Sequence, residues 1–152
     1  MSVLRMTRAV YDAIRAHGAE VFPAAACGVL LDRFSPGGSV VETAVRATNL
    51  LAGVENTCYR IAPPEVDRIE REATRHGLGI AGFYHSHPNH AAQWSPADLE
   101  EAHGLGCSYV ITAVTLGEAS ETNSFLLAGQ SEKDKKFEKE EIQILEGAES
   151  PE

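Results

Sequence analysis

The segment GFYHSHPNHAAQWSPADLEEA, residues 82–102, sets His85 and His87 one residue apart, then Ser95, then Asp98. Its first residues end the apolar run LGIAGFYH, which reads as a central strand covered on both faces. Side chains at i and i+2 of a strand leave the same face, with Cα atoms roughly 6.6 Å apart at ~3.3 Å per residue. His85 and His87 can therefore aim a ring nitrogen at one ion while Ser86 faces away. Ser95-Pro96-Ala97-Asp98 has the form of a helix start, with Ser95 as cap and an acid at the third position near the helix dipole. A loop through Pro88 and Trp94 returns that helix to the strand and adds Asp98 to the two histidines. Two histidines and one carboxylate leave a fourth position open on zinc, as in catalytic rather than structural sites. Zinc so held polarises a carbonyl and lowers the pKa of water towards ~7. His90, in the loop, competes as a ligand, whereas His17, His76 and His103 carry no such signal. Either half of the pattern alone is weak; HSHP-x7-S-x2-D as a whole is demanding in both spacing and residue type.

The surrounding elements have to hold that geometry. Thr7 caps a helix to about Ala19, with Val10, Ala13, Ile14 and His17 on one face. CGVLLDRF and VVETAVRATN read as strands joined by a turn at Pro36-Gly37-Gly38. A second helix opens at Pro63-Pro64, buries Val66, Ile69 and Ala73, and stops at Gly77. SPADLEEAHG is a third helix ending near Gly104, and CSYVITAVTL and ETNSFLLAG are further strands. The charged stretch from Ser131 gives either a last edge strand, in which Ile142 and Ile144 alternate, or a short helix. The fold class is therefore α/β, an α+β sandwich with a mixed sheet flanked by helices. It forms one domain over residues 1–145, followed by a disordered tail at 146–152.

A chain of 152 residues, 43% hydrophobic and 23% charged, can bury a core without disulfides. No run reaches the ~18 apolar residues of a membrane span. The opening MSVLRMTRAVYDAIRAHG lacks the apolar block of a signal peptide, so a cytoplasmic protein is expected. A net charge of −9 argues against nucleic acid as partner. Cys27, Cys58 and Cys107 are odd in number and widely spaced, which fits reduced thiols.

HSHP-x7-S-x2-D, with Pro-x-x-x-Cys-Gly-Val-Leu-Leu upstream, resembles the JAMM (MPN+) zinc metalloproteases over about residues 1–145. The resemblance implies the JAMM/MPN fold, which is cytidine deaminase-like, and hydrolysis of amide bonds after the C-terminal glycine of ubiquitin-like proteins. It implies zinc on His85, His87 and Asp98, and Ser95 holding the carbonyl oxygen as charge develops. The short chain and the NTCYRI segment look like the prokaryotic branch. The implied partner is then a small ubiquitin-fold sulfur carrier, bound through its C-terminal tail, for trimming or amino-acid release. That tail is expected to lie extended along a sheet edge, with Trp94 either lining its groove or anchoring the loop to the core.

The family pattern Pro-x-Glu-x-x-Gly has a general-base glutamate, but this chain reads Pro23-Ala24-Ala25-Ala26-Cys27-Gly28. Ala25 cannot move a proton, and a positioned general acid–base contributes ~10²–10⁴ in rate. Three accounts compete. A Glu→Ala replacement that stops turnover while keeping binding is favoured, because every other motif residue is intact. A naturally inactive binding module is the second, and Glu20 serving as base is the third. A cysteine hydrolase built on Cys27 leaves the histidine motif unexplained.

Overall fold

In CGVLLDRF, Leu30 alternates with Val29 and Leu31 and all three are buried, so their strand needs cover on both faces. The computed structural model, which describes residues 2–55 and 58–146, provides it. The elements are β1 (Val3–Thr7), α1 (Arg8–Val21), β2 (Cys27–Ser35), β3 (Gly38–Arg46) and α2 (Pro63–Arg75). They continue as β4 (Gly79–Pro88), α3 (Pro96–Glu101), β5 (Ser108–Thr115), β6 (Glu118–Ala128) and β7 (Lys136–Leu145). The strands run β1-β3-β2-β4-β5-β6-β7 and close through a parallel β7–β1 pairing. This is a mixed sheet flanked by helices, as the sequence indicates.

Leu30, Tyr84 and Val110 pack with Val10 and Ile14 of α1, while Val29 and Leu31 pack with Ile69 and Ala73 of α2. Alternation along β4 then decides where the motif points. Tyr84 faces α1 and bonds His17 through its hydroxyl, at 2.7 Å from Nδ1. Ser86 faces the same way, where a Cβ on Gly18 would come within 3.1 Å of the Ser86 Cβ. Phe83, His85 and His87 project to the opposite face, the side of α2 and α3.

Gly82 precedes these residues for a steric reason. In the parallel β4–β5 ladder it stands opposite Ser108, and a Cβ there would lie 1.9 Å from the Ser108 carbonyl oxygen. Backbone cannot rotate away as a side-chain tip can, so a Gly82→Ala variant must part the two strands. The expected loss is about 3 kcal/mol, read in thermal unfolding as a fall of roughly 6–12 °C.

Four expectations change. β1 lies ahead of the helix, where the sequence signalled no element; Leu4 and Met6 are buried, but five residues are too short for their alternation to stand out. Residues 136–145 form a strand, yet not an edge, since β7 lies between β6 and β1. The third helix ends at Glu101 rather than near Gly104, because Ala102 turns to extended backbone and is buried. Of the face Val10, Ala13, Ile14 and His17, three are buried, His17 against Tyr84, but Ala13 is exposed. Within the expected tail, Glu146 pairs with Arg8 at 2.8 Å, and residues 147–152 lie outside the described residues.

Candidate metal centre

The two imidazoles leave β4 side by side, and α3 delivers the carboxylate. Ser95 Oγ accepts the Asp98 backbone N–H at 3.2 Å, and the Ser95 N–H donates to Asp98 Oδ2 at 2.9 Å. The helix start and the ligand position are thus one arrangement: the capping box that begins α3 also fixes the Asp98 rotamer. Asp98 Oδ1 lies 3.1 Å from His85 Nε2, Asp98 Oδ2 lies 3.0 Å from His87 Nε2, and the two ring nitrogens are 3.2 Å apart. All three residues are buried, and their ligand atoms lie within 4.8 Å of one another.

One tautomer suits this cluster to a cation. His87 Nδ1 donates to the Ala91 carbonyl at 2.9 Å, which leaves the Nε2 lone pair directed at the carboxylate and at His85. Acceptors converging in a buried space repel unless a cation or a proton lies between them. Two imidazole nitrogens and one carboxylate oxygen are donors that suit a divalent metal. Among the described residues, this is the one group of three or more such side chains close enough to share an ion.

Without metal, burial would lower His87, but the hydrogen bond and charge of Asp98 outweigh it and raise its pKa. His85 is lowered, chiefly by its complete burial. Burial would raise Asp98, yet hydrogen bonds from both histidines hold it well below the usual carboxylate range.

Tyr59 is a neighbour that motif spacing does not reveal. Its ring stacks on His85 with centroids 4.3 Å apart and planes inclined by 23°. His85 Nδ1 is buried with no hydrogen-bond partner among the described residues, so stacking orients this ring where a hydrogen bond orients His87. Partners that orient a metal ligand typically contribute 10–100-fold in affinity. Tyr59→Ala should weaken metal binding by about that factor, whereas Tyr59→Phe, which keeps the stack, should bind within about threefold of the parent. Competition with a chromogenic chelator measures both.

The approach to the cluster runs over the start of α3. One depression of about 410 Å³ is lined by Cys58, His87, His90, Gln93 and Ser95. A second, of about 370 Å³, is lined by Leu51, Tyr59, Arg60, Asp98 and Glu101, and the two share Cys58, Pro96 and Ala97. Strand addition beside the histidines is blocked, because β4 lies between β2 and β5. Trp94 packs on Phe137 of β7, with centroids 5.6 Å apart, and is absent from the lining of both depressions. His90 lines the first depression but stands outside the three-residue cluster. His103 faces Glu132 at 3.2 Å.

Ala25 sits where the strand pairing runs out beside the motif. Cys27 is opposite His85, and Ala26 continues the ladder by accepting from the Ser86 N–H at 3.0 Å and donating to Ser86 Oγ at 2.7 Å. Ala25 comes one residue before that last pairing, and its side chain is buried. Glu20 is instead engaged by Arg46 on the exposed surface. Burial pushes the Cys27 thiol up to about 12, which removes it as a nucleophile.

Residues 7–128 match the family described as prokaryotic homologs of the JAB domain. The chain belongs to that family. No curated protein matches this JAB chain. A solution structure of a protein from Salinibacter ruber is 33% identical, with 98% of this chain and 95% of that one covered and a TM-score of 0.72. A second solution structure, from Desulfitobacterium hafniense, is 26% identical, covers 95% and 94% of the two chains and has a TM-score of 0.77. A JAB1/MPN domain protein from Archaeoglobus fulgidus shares the JAB fold at 15% identity, with a TM-score of 0.57 over 93% of this chain and 98% of that one. Sequence motifs located His85, His87, Ser95 and Asp98. Tyr59 lies in the loop between β3 and α2, and nothing in its local spacing connects it with His85.

Proposed function

We propose that this JAB domain is the framework of a zinc-dependent peptidase or isopeptidase acting after the C-terminal glycine of a ubiquitin-like sulfur carrier in the cytoplasm. In this chain Ala25 occupies the position of the general base. The observation that carries the reading is the buried His85–His87–Asp98 cluster, open to a groove beside Ser95. Zinc held there would supply a Lewis acid for the scissile carbonyl and a water of lowered pKa.

The chain's own residues divide the remaining work. His87 is fixed as a ligand by the Ala91 carbonyl, Asp98 by the capping box, and His85 by Tyr59. The Ser95 hydroxyl receives the Asp98 N–H on its oxygen, so its own hydrogen is available to a substrate carbonyl oxygen as negative charge develops. A carboxylate at position 25 would accept the proton of the attacking water and return it to the leaving amine. With alanine there, both transfers lack a carrier and turnover stops, while zinc and the carrier tail still bind. The absence of that carboxylate favours a second reading, a binding module that holds a ubiquitin-like partner without cutting it.

The experiment is a paired assay. The zinc-loaded chain and its Ala25→Glu variant are incubated with a sulfur carrier extended beyond its terminal Gly-Gly, and products are followed by mass spectrometry. Cleavage by the variant alone, stopped by a chelator, supports the peptidase. Binding by both with cleavage by neither favours the module. Equal cleavage by both would remove position 25 from the mechanism.

A further inference from the structure

The loop between β3 and α2 carries Tyr59 to His85 and Cys58 to the groove, so its closure shapes the site. One side chain makes that closure. The Asn49 carboxamide oxygen accepts the N–H of Leu51 at 3.0 Å and the N–H of Arg60 at 3.1 Å, while Leu50 N–H donates to the Arg60 carbonyl at 2.8 Å. The neck of the loop is therefore zipped at Asn49, against Arg60, which follows Tyr59 and precedes α2. The other end of the same group reaches across to the site: Asn49 Nδ2 donates to the Ala25 carbonyl at 3.0 Å.

That last bond holds one edge of the peptide between residues 25 and 26. Residue 25 lies two positions before Cys27, the first residue of β2, and the N–H of its peptide to Ala26 donates to Ser86 Oγ at 2.7 Å. Asn49 holds the carbonyl edge of that same peptide, so together with Ser86 it sets the peptide plane from which the residue-25 Cβ departs. A carboxylate working as base has to meet the reacting water within hydrogen-bond reach, and small misplacements there are costly.

We infer that Asn49 is a positioning residue that couples the pairing of Leu51 with Arg60 at the loop neck to the orientation of the proton carrier at position 25. This rests on the peptidase reading given above. An amide does both tasks because it accepts at one end and donates at the other; an aspartate can only accept. Asn49→Asp therefore retains acceptors for Leu51 and Arg60 and loses the donor to the residue-25 carbonyl. Asn49→Ala loses all three bonds.

The test uses the full zinc-loaded chain carrying Ala25→Glu as parent, with Asn49→Asp and Asn49→Ala added to it. Steady-state cleavage of the extended carrier, its pH profile, zinc stoichiometry and thermal midpoint are measured for each. The expected result for Asn49→Asp is a kcat about 10- to 100-fold below the parent, with KM, zinc content and thermal midpoint retained and the acid limb of the profile displaced. Asn49→Ala should lose kcat similarly and raise KM as well, because the loop opens. A kcat for Asn49→Asp within about twofold of the parent overturns the inference while leaving the peptidase reading intact. Loss of kcat only in step with lost zinc or a lowered thermal midpoint also overturns it, since Asn49 would then be structural. A parent that holds zinc and does not cut removes the peptidase reading, and the inference with it.

Discussion

Hydrolysis of a carrier tail by the zinc-loaded chain should rise ~10²–10⁴-fold on Ala25→Glu, the contribution of one positioned proton carrier. The gain is large because the rest of the proposed apparatus is present: three converging ligands, a serine donor at the groove, and a ring that orients His85. Position 25 is buried and lies two residues ahead of Cys27, which stands opposite His85, so a glutamate there should be shielded from bulk water and near a cation held by the histidines. Burial raises a carboxyl pKa and a neighbouring cation lowers it. With zinc bound the cation should dominate, so the acid limb of kcat/KM should fall below neutral pH. Removing zinc should return the variant to the level of the parent. Ala25→Gln, which matches the glutamate in size but cannot take a proton at neutral pH, separates proton transfer from packing and should remain at the low rate. A Gln variant as active as the Glu variant would refute the assignment of position 25.

The second large effect concerns metal retention. Asp98→Asn keeps the size of the side chain and an oxygen for the Ser95 N–H, so α3 should still be capped. It loses the charge that faces both histidines, at 3.1 and 3.0 Å. Zinc affinity should fall by more than ~100-fold, beyond the range typical of orienting partners. At free zinc ~100 times the parent's Kd, bound metal stabilises the parent by about 2.7 kcal/mol, and thermal unfolding should show that increment absent in Asp98→Asn. A zinc-dependent rise in thermal midpoint that survives the substitution would place the metal elsewhere.

The same centre sets a pH dependence. His87 without metal has a raised pKa, so its protonated form stabilises the metal-free fold below the ordinary histidine pKa. That stability is lost as pH rises through the raised value. Zinc requires the deprotonated ring, so stabilisation by metal should grow over the same interval. Asp98 acts in the opposite sense: its depressed pKa adds stability above the usual aspartate value, lost only as pH falls through the depressed one. Thermal midpoints with and without zinc should accordingly converge as the solution is acidified.

By itself the sequence determined that His85, His87 and Asp98 converge, and the nature of the elements that carry them. Strand periodicity put His85 and His87 on one face, and the capping box put Asp98 in the first turn of α3; both signals operate within four residues, where backbone geometry alone fixes direction. The nearly unbroken apolar run of β4 likewise announced a strand covered on two sides. Only the tertiary structure decided which distant residues meet that motif. β1 becomes a strand by pairing with β7, whose partners lie at the other end of the chain, as in Val3 opposite Glu141. Tyr59 reaches His85 and Asn49 reaches the Ala25 carbonyl from a loop whose path depends on how β3, α2 and β4 pack. Trp94 packs on Phe137 and Glu20 pairs with Arg46, partners far from them in sequence. Local spacing encodes which way a side chain leaves the backbone, whereas long-range contact depends on strand order and closure, which no short window contains.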